Sequence, residues 1–251
     1  MKSMRKIVVI GGGDIQKKET LSIDRETMRL SGKKCPKLLF IPTASSDALG
    51  YWENIQEYFG RFLKCTTDVL FLLRDQPGIL EIRKKILSSD IVYVGGGNTL
   101  KMMRLWRRLG VDRVLEEAWR KGIVMSGVSA GSICWFQFGH SDSMSFYNPK
   151  KWKYIKVRGL GFARGIHCPH YDSVTRGASR RKRFQEMIRK GGGLGIAIDN
   201  NSAIEFLDDT YRVISSKHGA GAYRVYRKGG KVVSERIKEK KILTPIAKLY
   251  E

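Results

Sequence analysis

The chain has 251 residues, of which 42% are hydrophobic and 28% are charged. These values are typical of a globular protein with a sizeable core, and they exclude a largely disordered chain. The formal net charge of +23 at pH 7 predicts attraction to anionic molecules. The basic residues are spread along the chain without a nucleic-acid-binding motif, so we expect a solvated basic surface and no nucleic-acid partner.

Cysteine usage and hydropathy indicate the cellular compartment. Four cysteines are scattered along the chain: Cys35, Cys65, Cys134 and Cys168. They form no C-x-x-C pair, and such cysteines in a chain of this length are typical of reduced, mostly buried thiols. The apolar run at residues 7–10 is too short for a signal peptide or a membrane span. We therefore expect a soluble, cytoplasmic protein with one domain over residues 1–251.

The first half of the chain alternates short apolar runs with helical patterns. Strands are predicted over residues 6–10, 37–42, 68–73, 90–94 and 123–125, and helices over 22–30, 51–63, 77–87, 100–109 and 111–120. Continuous apolar strands alternating with helices predict an α/β fold, with a mostly parallel sheet covered by helices on both faces.

The second half has a different character. Residues 140–156 are predicted to form a surface loop, and residues 179–190 a basic helix. The apolar runs 194–198 and 202–207 are interpreted as strand with a polar insertion. Antiparallel strands follow at 211–215, 221–227 and 231–233, separated by glycine turns.

Residues 122–138 contain the strongest functional motif. A buried strand end leads into Gly127–Gly131, which fits G-x-S-x-G, and residues 133–136 resemble the start of a buried helix. This order is that of a nucleophile elbow, with Ser129 exposed on a strained turn and helix N–H groups able to hold an oxyanion. The alternative is that Ser126, Ser129 and Ser132 lie in a small-residue turn or cap a helix.

A serine nucleophile needs a base, and histidine is the usual choice. His170 is the favoured candidate and His167 the second, since both lie in a proline-containing segment downstream of the elbow. In parallel sheets, sites lie beyond the carboxyl ends of the strands, and both Gly127–Gly131 and the glycine-rich residues 95–99 occupy such ends.

Four segments occur in the order seen in a known family: residues 94–99 (VGGGNT), 127–131 (GVSAG), 168–171 (CPHY) and 197–203 (AIDNNSA). Over most of residues 5–227 the chain resembles the peptidase E family of serine peptidases, to which cyanophycinases are related. The resemblance implies a flavodoxin-like, class I glutamine amidotransferase-like fold. Serine at position 129 argues against an amidotransferase itself, which uses cysteine there.

The resemblance also implies a catalytic set. Ser129 matches the nucleophile and His170 the base, and Gly96, Gly97 and Ala130 match the oxyanion hole. The family's acidic third member is best matched by Asn200, which can orient a histidine but carries no charge. Three carboxylates remain as alternatives to it: Asp199, Glu205 and Asp142.

Arg180 and Arg183 lie near a position where aspartyl dipeptidases carry an arginine, so they are candidates for binding the acidic side chain of a substrate. The resulting expectation is a serine peptidase of dipeptides with an N-terminal acidic residue. Two alternatives stay open, a cyanophycinase-like hydrolase of Asp–Arg peptides and a catalytically weak basic binding protein. A small peptide is the expected partner and a homodimer a further expectation, with no metal or cofactor.

Overall fold

The structure, a computed structural model, describes residues 3–175, 177–240 and 242–251. The strands are β1 (Lys6–Ile10), β2 (Lys37–Ile41), β3 (Thr66–Val69), β4 (Ile91–Val94), β5 (Val124–Val128), β6 (Phe136–Ser141), β7 (Ile155–Arg158), β8 (Ala163–Cys168), β9 (Val174–Thr175), β10 (Ala178–Ser179), β11 (Gly195–Ile198), β12 (Ser202–Leu207), β13 (Thr210–Ser215), β14 (Ala222–Lys228), β15 (Lys231–Arg236) and β16 (Thr244–Pro245). The helices are α1 (Leu21–Leu30), α2 (Leu49–Ile55), α3 (Ile79–Leu87), α4 (Thr99–Leu109), α5 (Val111–Arg120), α6 (Ala130–Ile133), α7 (Arg180–Gly191) and α8 (Ala247–Tyr250). A π-helical segment, Gln56–Phe62, continues α2, and short 3-10 helices cover Thr43–Ser45 and Ser143–Phe146.

The larger sheet among the described residues has the strand order β16-β13-β12-β1-β5-β4-β2-β3. Strands β1, β5, β4, β2 and β3 run parallel, and β12 joins β1 in antiparallel pairing. Side chains alternate between the two faces, so Val8 packs in the core under α1 and α2, whereas Val9 packs in the core under α3, α4 and α5. Both faces are therefore covered, which explains why β1 is apolar throughout and confirms the predicted α/β fold.

A second sheet has the order β15-β14-β11-β8-β6-β7, and α7 packs on it through Phe184 and Ile188. The apolar runs 194–198 and 202–207 therefore belong to different sheets, because β11 pairs with β8 and β14 whereas β12 pairs with β1 and β13. The interpretation of these runs as strand with an insertion is wrong in that respect. Asn200 lies in the turn that connects the two sheets.

The segment after the elbow also differs from the prediction. The helix α6 has four residues and ends at Ile133, and Phe136 begins β6 instead of continuing a helix. The carbonyls of Cys134 and Trp135 accept hydrogen bonds from the N–H groups of Leu160 and Ala163. They are therefore not used as acceptors for the N–H groups of a longer helix. A short apolar run does not by itself distinguish a buried helix from a buried strand.

Residues 140–156, predicted as a loop, are partly regular. They include the end of β6, the 3-10 helix and the first two residues of β7, with an irregular stretch between them. No helix in the described part of the chain is both long and apolar enough to cross a lipid bilayer.

Candidate active site

Ser129 occupies the turn between β5 and α6. Its backbone has φ 58° and ψ −113°, a strained conformation for a residue with a side chain. The turn is tight because Gly131 lies directly against Val94, where a Cβ atom would overlap the carbonyl oxygen. The half-buried Ser129 hydroxyl makes no hydrogen bond to any described residue, which leaves it available for reaction.

The exit of β1 brings Ser129 and His170 to the same edge of the sheet. The Ser129 N–H donates to the carbonyl of Ile10 at 3.3 Å, and the His170 N–H donates to the carbonyl of Gly11 at 3.0 Å. His170 also has a positive φ, 51°, at the end of the segment that follows β8. Two residues far apart in sequence are thus anchored to consecutive carbonyls.

The imidazole of His170 is oriented by Asn200, since Nδ1 lies 2.7 Å from the Asn200 side-chain oxygen. The Asn200 amide nitrogen donates to Asp172 Oδ1 at 2.9 Å and to Ser173 Oγ at 2.6 Å. Because the nitrogen is used there, the amide oxygen faces His170 and accepts a proton from Nδ1. The lone pair of Nε2 remains for proton transfer.

Burial lowers the pKa of His170 below its ordinary value of 6.5, and the positive charge of Arg180 lowers the pKa further. The hydrogen bond to Asn200 opposes this effect without reversing it. A lowered pKa keeps the imidazole neutral at neutral pH, which is the form that can accept a proton.

Three residues that support this site were missed by sequence reasoning. Asp172 and Ser173 fix the amide of Asn200, and Asp172 stands only two positions after His170. Gly12 makes room for the pair, because a Cβ atom there would overlap both Asn200 Oδ1 and His170 Nδ1. The signal for Gly12 was the triple glycine that ends the first strand.

The three carboxylates considered as alternatives to Asn200 have partners of their own. Asp199 accepts from the N–H of Gly221 at 3.1 Å. Glu205 is buried on the larger sheet and pairs with Arg212 at 2.9 Å, and Asp142 pairs with Arg180 at 3.0 Å. The structure therefore places the amide of Asn200, and none of these carboxylates, against His170.

Of the three predicted oxyanion residues, Gly96 and Ala130 adjoin Ser129, whereas the contacts of Gly97 are with another segment. A Cβ atom built at Gly96 would lie 3.3 Å from Ser129 Cβ, and Gly97 packs on the backbone of Ala44. Ala130 is the first residue of α6, so its N–H has no acceptor within the helix. The N–H of Gly96 donates to Tyr51 Oη at 3.4 Å, a contact that sequence reasoning did not anticipate.

His167, the second candidate base, contacts a different serine, Ser132. Its Nε2 lies 2.8 Å from Ser132 Oγ, and its Nδ1 lies 2.9 Å from the carbonyl of Ile196. Both side chains are fully buried, and burial lowers the pKa of His167 to about 3. Nδ1 donates to the carbonyl, so Nε2 of a neutral His167 is an acceptor. The single proton of the Ser132 hydroxyl has two acceptors within reach, this Nε2 and the carbonyl oxygen of Ser129 at 2.7 Å. This pair lies one helical turn beyond Ser129 and supports the elbow from within the core.

The two predicted substrate arginines lie in different environments. The side chain of Arg180 is 2% exposed and contacts Asp142, and its Nε has no partner among the described residues. Its guanidinium also lies over the Tyr154 ring at 5.1 Å. Arg183 is 57% exposed and pairs with Glu186 on the surface of α7. Of the two, only Arg180 acts electrostatically on His170.

A serine on a strained turn, an imidazole oriented by a third side chain and backbone N–H groups next to the serine are the components that serine hydrolases use. The model of peptidase family S51 matches residues 7–214. The chain belongs to this family, and the family resemblance noted in the sequence is confirmed.

Individual relatives agree with this assignment. The peptidase YgaJ of Bacillus subtilis (strain 168) is 36% identical over 227 residues, which are 88% of this chain and 92% of that protein. A peptidase from an acI-B1 actinobacterium superimposes with a TM-score of 0.73 and 16% identity over 98% of both chains. A peptidase E protein from Listeria monocytogenes EGD-e gives a TM-score of 0.65 and 20% identity over 85% of this chain and 99% of that one. At these identities the two structures confirm the flavodoxin-like fold.

Proposed function

We propose that the protein is a serine peptidase that cleaves short peptides after an N-terminal acidic residue, with Ser129 as nucleophile and His170 as base. The observation that carries the proposal is the orientation of His170 by Asn200, on a backbone anchored one carbonyl away from that of the strained Ser129. Membership of peptidase family S51 supports the hydrolytic class.

In the first half of the reaction, Nε2 of His170 takes the proton of Ser129 as Oγ attacks the carbonyl carbon of the scissile bond. The carbonyl oxygen becomes an oxyanion, which the N–H of Ala130 and the Gly96–Gly97 backbone stabilise. The C–N bond then breaks, and the departing amine receives the proton from Nε2. This leaves the acidic residue as an ester of Ser129.

In the second half, water gives a proton to His170 and attacks the ester carbonyl. The C–Oγ bond breaks, Ser129 recovers its proton, and the free acidic amino acid departs. Asn200 holds the ring in one tautomer throughout both halves, as the third member does in other triads. Because it is neutral, it stabilises the imidazolium less than a carboxylate does.

Acidic specificity is assigned to Arg180. Its charge is close enough to lower the pKa of His170, and its buried Nε has an unused proton among the described residues. A substrate carboxylate could accept that proton and share the guanidinium with Asp142. Arg183, exposed and paired with Glu186, is given no part in this recognition.

The test is a comparison of kcat/KM on Asp-Leu, Asn-Leu and Leu-Leu dipeptides. Loss of one charged hydrogen bond predicts Asn-Leu to be about 10²-fold slower than Asp-Leu, and Ser129→Ala should abolish turnover. Equal kcat/KM values on all three dipeptides would contradict the proposed acidic specificity. Full activity of Ser129→Ala would contradict the proposed mechanism. Insoluble Asp–Arg polymer is assayed alongside, since preferential cleavage of it would favour the cyanophycinase-like alternative.

A further inference from the structure

A basic groove lies between the irregular segment before β7 and the exposed face of α7. Its volume is about 810 Å³, and the proposed hydrolysis uses none of the cations that line it. Lys150, Lys151 and Lys153 line the groove from the irregular segment, and Arg183 and Lys190 line it from α7. We call these five residues, together with Trp152, the basic groove.

The charge of the groove is strongly unbalanced. Glu186 is the acidic residue among the lining residues that the structure describes, and it is shared between Arg183 at 3.2 Å and Lys190 at 3.0 Å. These pairs are exposed, so they are weak and can exchange for a ligand. Five cations against one carboxylate on facing walls concentrate positive potential in a concave space.

We infer that the basic groove binds an acidic polypeptide segment, at a site separate from Ser129. Lysine and arginine heads on two facing walls can contact carboxylates on both edges of an extended chain, where successive side chains alternate in direction. The volume suits a segment of a few residues. Trp152 is half-buried and offers apolar surface to the peptide backbone and stems.

The aromatic residues favour a peptide over a nucleic acid. Proteins that bind single strands stack successive bases on several accessible rings. In the groove, the Tyr154 ring is stacked on His140 at 4.0 Å and has the Arg180 guanidinium at 5.1 Å, so it already has stacking partners within the protein. Trp152 alone, edge-on to Tyr154 at 4.8 Å, remains for stacking among the described lining residues.

The experiment measures fluorescence anisotropy of a fluorescein-labelled hexaglutamate peptide titrated with the full chain. The label blocks the peptide's N-terminus, and the titration is repeated with Ser129→Ala, so binding is read independently of any hydrolysis. The groove variant carries Lys150→Glu, Lys151→Glu and Lys153→Glu. The matched control carries Arg227→Glu, Lys228→Glu and Lys231→Glu, the same three charge reversals on the exposed β14–β15 turn. Circular dichroism verifies that both variants fold.

We expect salt-sensitive binding that the groove variant weakens about tenfold or more, since three charge contacts become repulsive. The control variant should change affinity less than about twofold if the groove is the site. Equal weakening in both variants would overturn the inference, because it would show a diffuse surface field. Absence of binding, or tighter groove-dependent binding of a labelled oligouridylate of equal charge, would also overturn it.

Discussion

The Asn200 side-chain oxygen lies 2.7 Å from Nδ1 of His170, so an amide occupies the position that a carboxylate holds in most serine hydrolases. An amide can fix the tautomer and angle of the ring, but it adds no negative charge next to the imidazolium that forms during catalysis. We therefore expect Asn200 to act by orienting the ring and not by charge. Substitutions at position 200 should change both the pH dependence and the rate of the reaction of Ser129.

Two substitutions at Asn200 should have different effects, one on the pH profile and the other on the rate. His170 acts as a base only when deprotonated, and its pKa is lowered below 6.5, so the acid limb of activity should lie below pH 6.5. In Asn200→Asp a negative charge stabilises the imidazolium and raises the pKa of His170. The midpoint of the acid limb should therefore move to a pH about one to three units higher. Asn200→Ala should instead slow the reaction by about 10²-fold at every pH, because the ring loses its orientation.

The rate at which a fluorophosphonate labels Ser129, measured across pH, checks this prediction without requiring the true substrate. An acid limb at the same pH in wild type and Asn200→Asp would contradict the assigned contact between positions 170 and 200.

Gly12→Ala should inactivate the protein while leaving it folded. The added methyl group would overlap Asn200 Oδ1 and His170 Nδ1 and so separate the pair. We expect labelling of Ser129 to slow by about 10²-fold, as for the loss of a positioned base. Gly50→Ala is the matched control, since a Cβ atom there meets nothing within 4 Å. Equal labelling rates in the two variants would refute this arrangement.

The buried pair of Ser132 and His167 should contribute mainly to stability. Ser132→Ala removes the hydroxyl that lies between Nε2 of a fully buried His167 and the carbonyl oxygen of Ser129, which should lower the free energy of unfolding by about 1–3 kcal/mol. Ser126→Ala is the control, because Ser126 is equally buried but donates only to the carbonyl of Val8 at 3.2 Å. Urea unfolding of both variants distinguishes them, and equal losses would show that the Ser132 contact is unimportant.

Asp142→Asn should destabilise the protein far more than Glu186→Gln. The former leaves the guanidinium of Arg180, 2% exposed, without its anionic partner, at a cost of about 3 kcal/mol or more. The latter removes the negative charge from two exposed ion pairs that solvent already screens, so its cost should be small. Thermal unfolding by calorimetry measures both, and similar melting temperatures would contradict the buried pairing.

The sequence predicted the α/β architecture because each parallel strand is apolar on both faces, as in β1, and because glycine turns mark the strand ends. It also predicted the strained turn at Ser129, since the elbow motif specifies local geometry. The pairing of Ser129 with His170 stays a prediction, which the anchoring of both residues to consecutive carbonyls after β1 supports. The division of residues 194–207 between two sheets depends on distant pairing partners, which a local apolar pattern does not specify.

The surroundings of the site were harder to predict for a related reason. The contact of Gly12 with the pair of His170 and Asn200 joins three segments that are distant in sequence. The contacts of His167 with Ser132 and of Asp142 with Arg180 likewise depend on where the side chains lie in three dimensions. The local sequence does not specify which of several nearby serines contacts which histidine.

The most direct test of the account is to identify by mass spectrometry the serine that a fluorophosphonate modifies. Ser129 and Ser132 lie three positions apart, and Ser132 contacts His167 at 2.8 Å, so the measurement separates the proposed nucleophile from a neighbouring serine that has a histidine of its own. We predict a single adduct on Ser129 that is lost in His170→Ala and retained in His167→Asn. An adduct on Ser132, or no adduct on a folded protein, would contradict the assignment of Ser129 and His170 as the reacting pair.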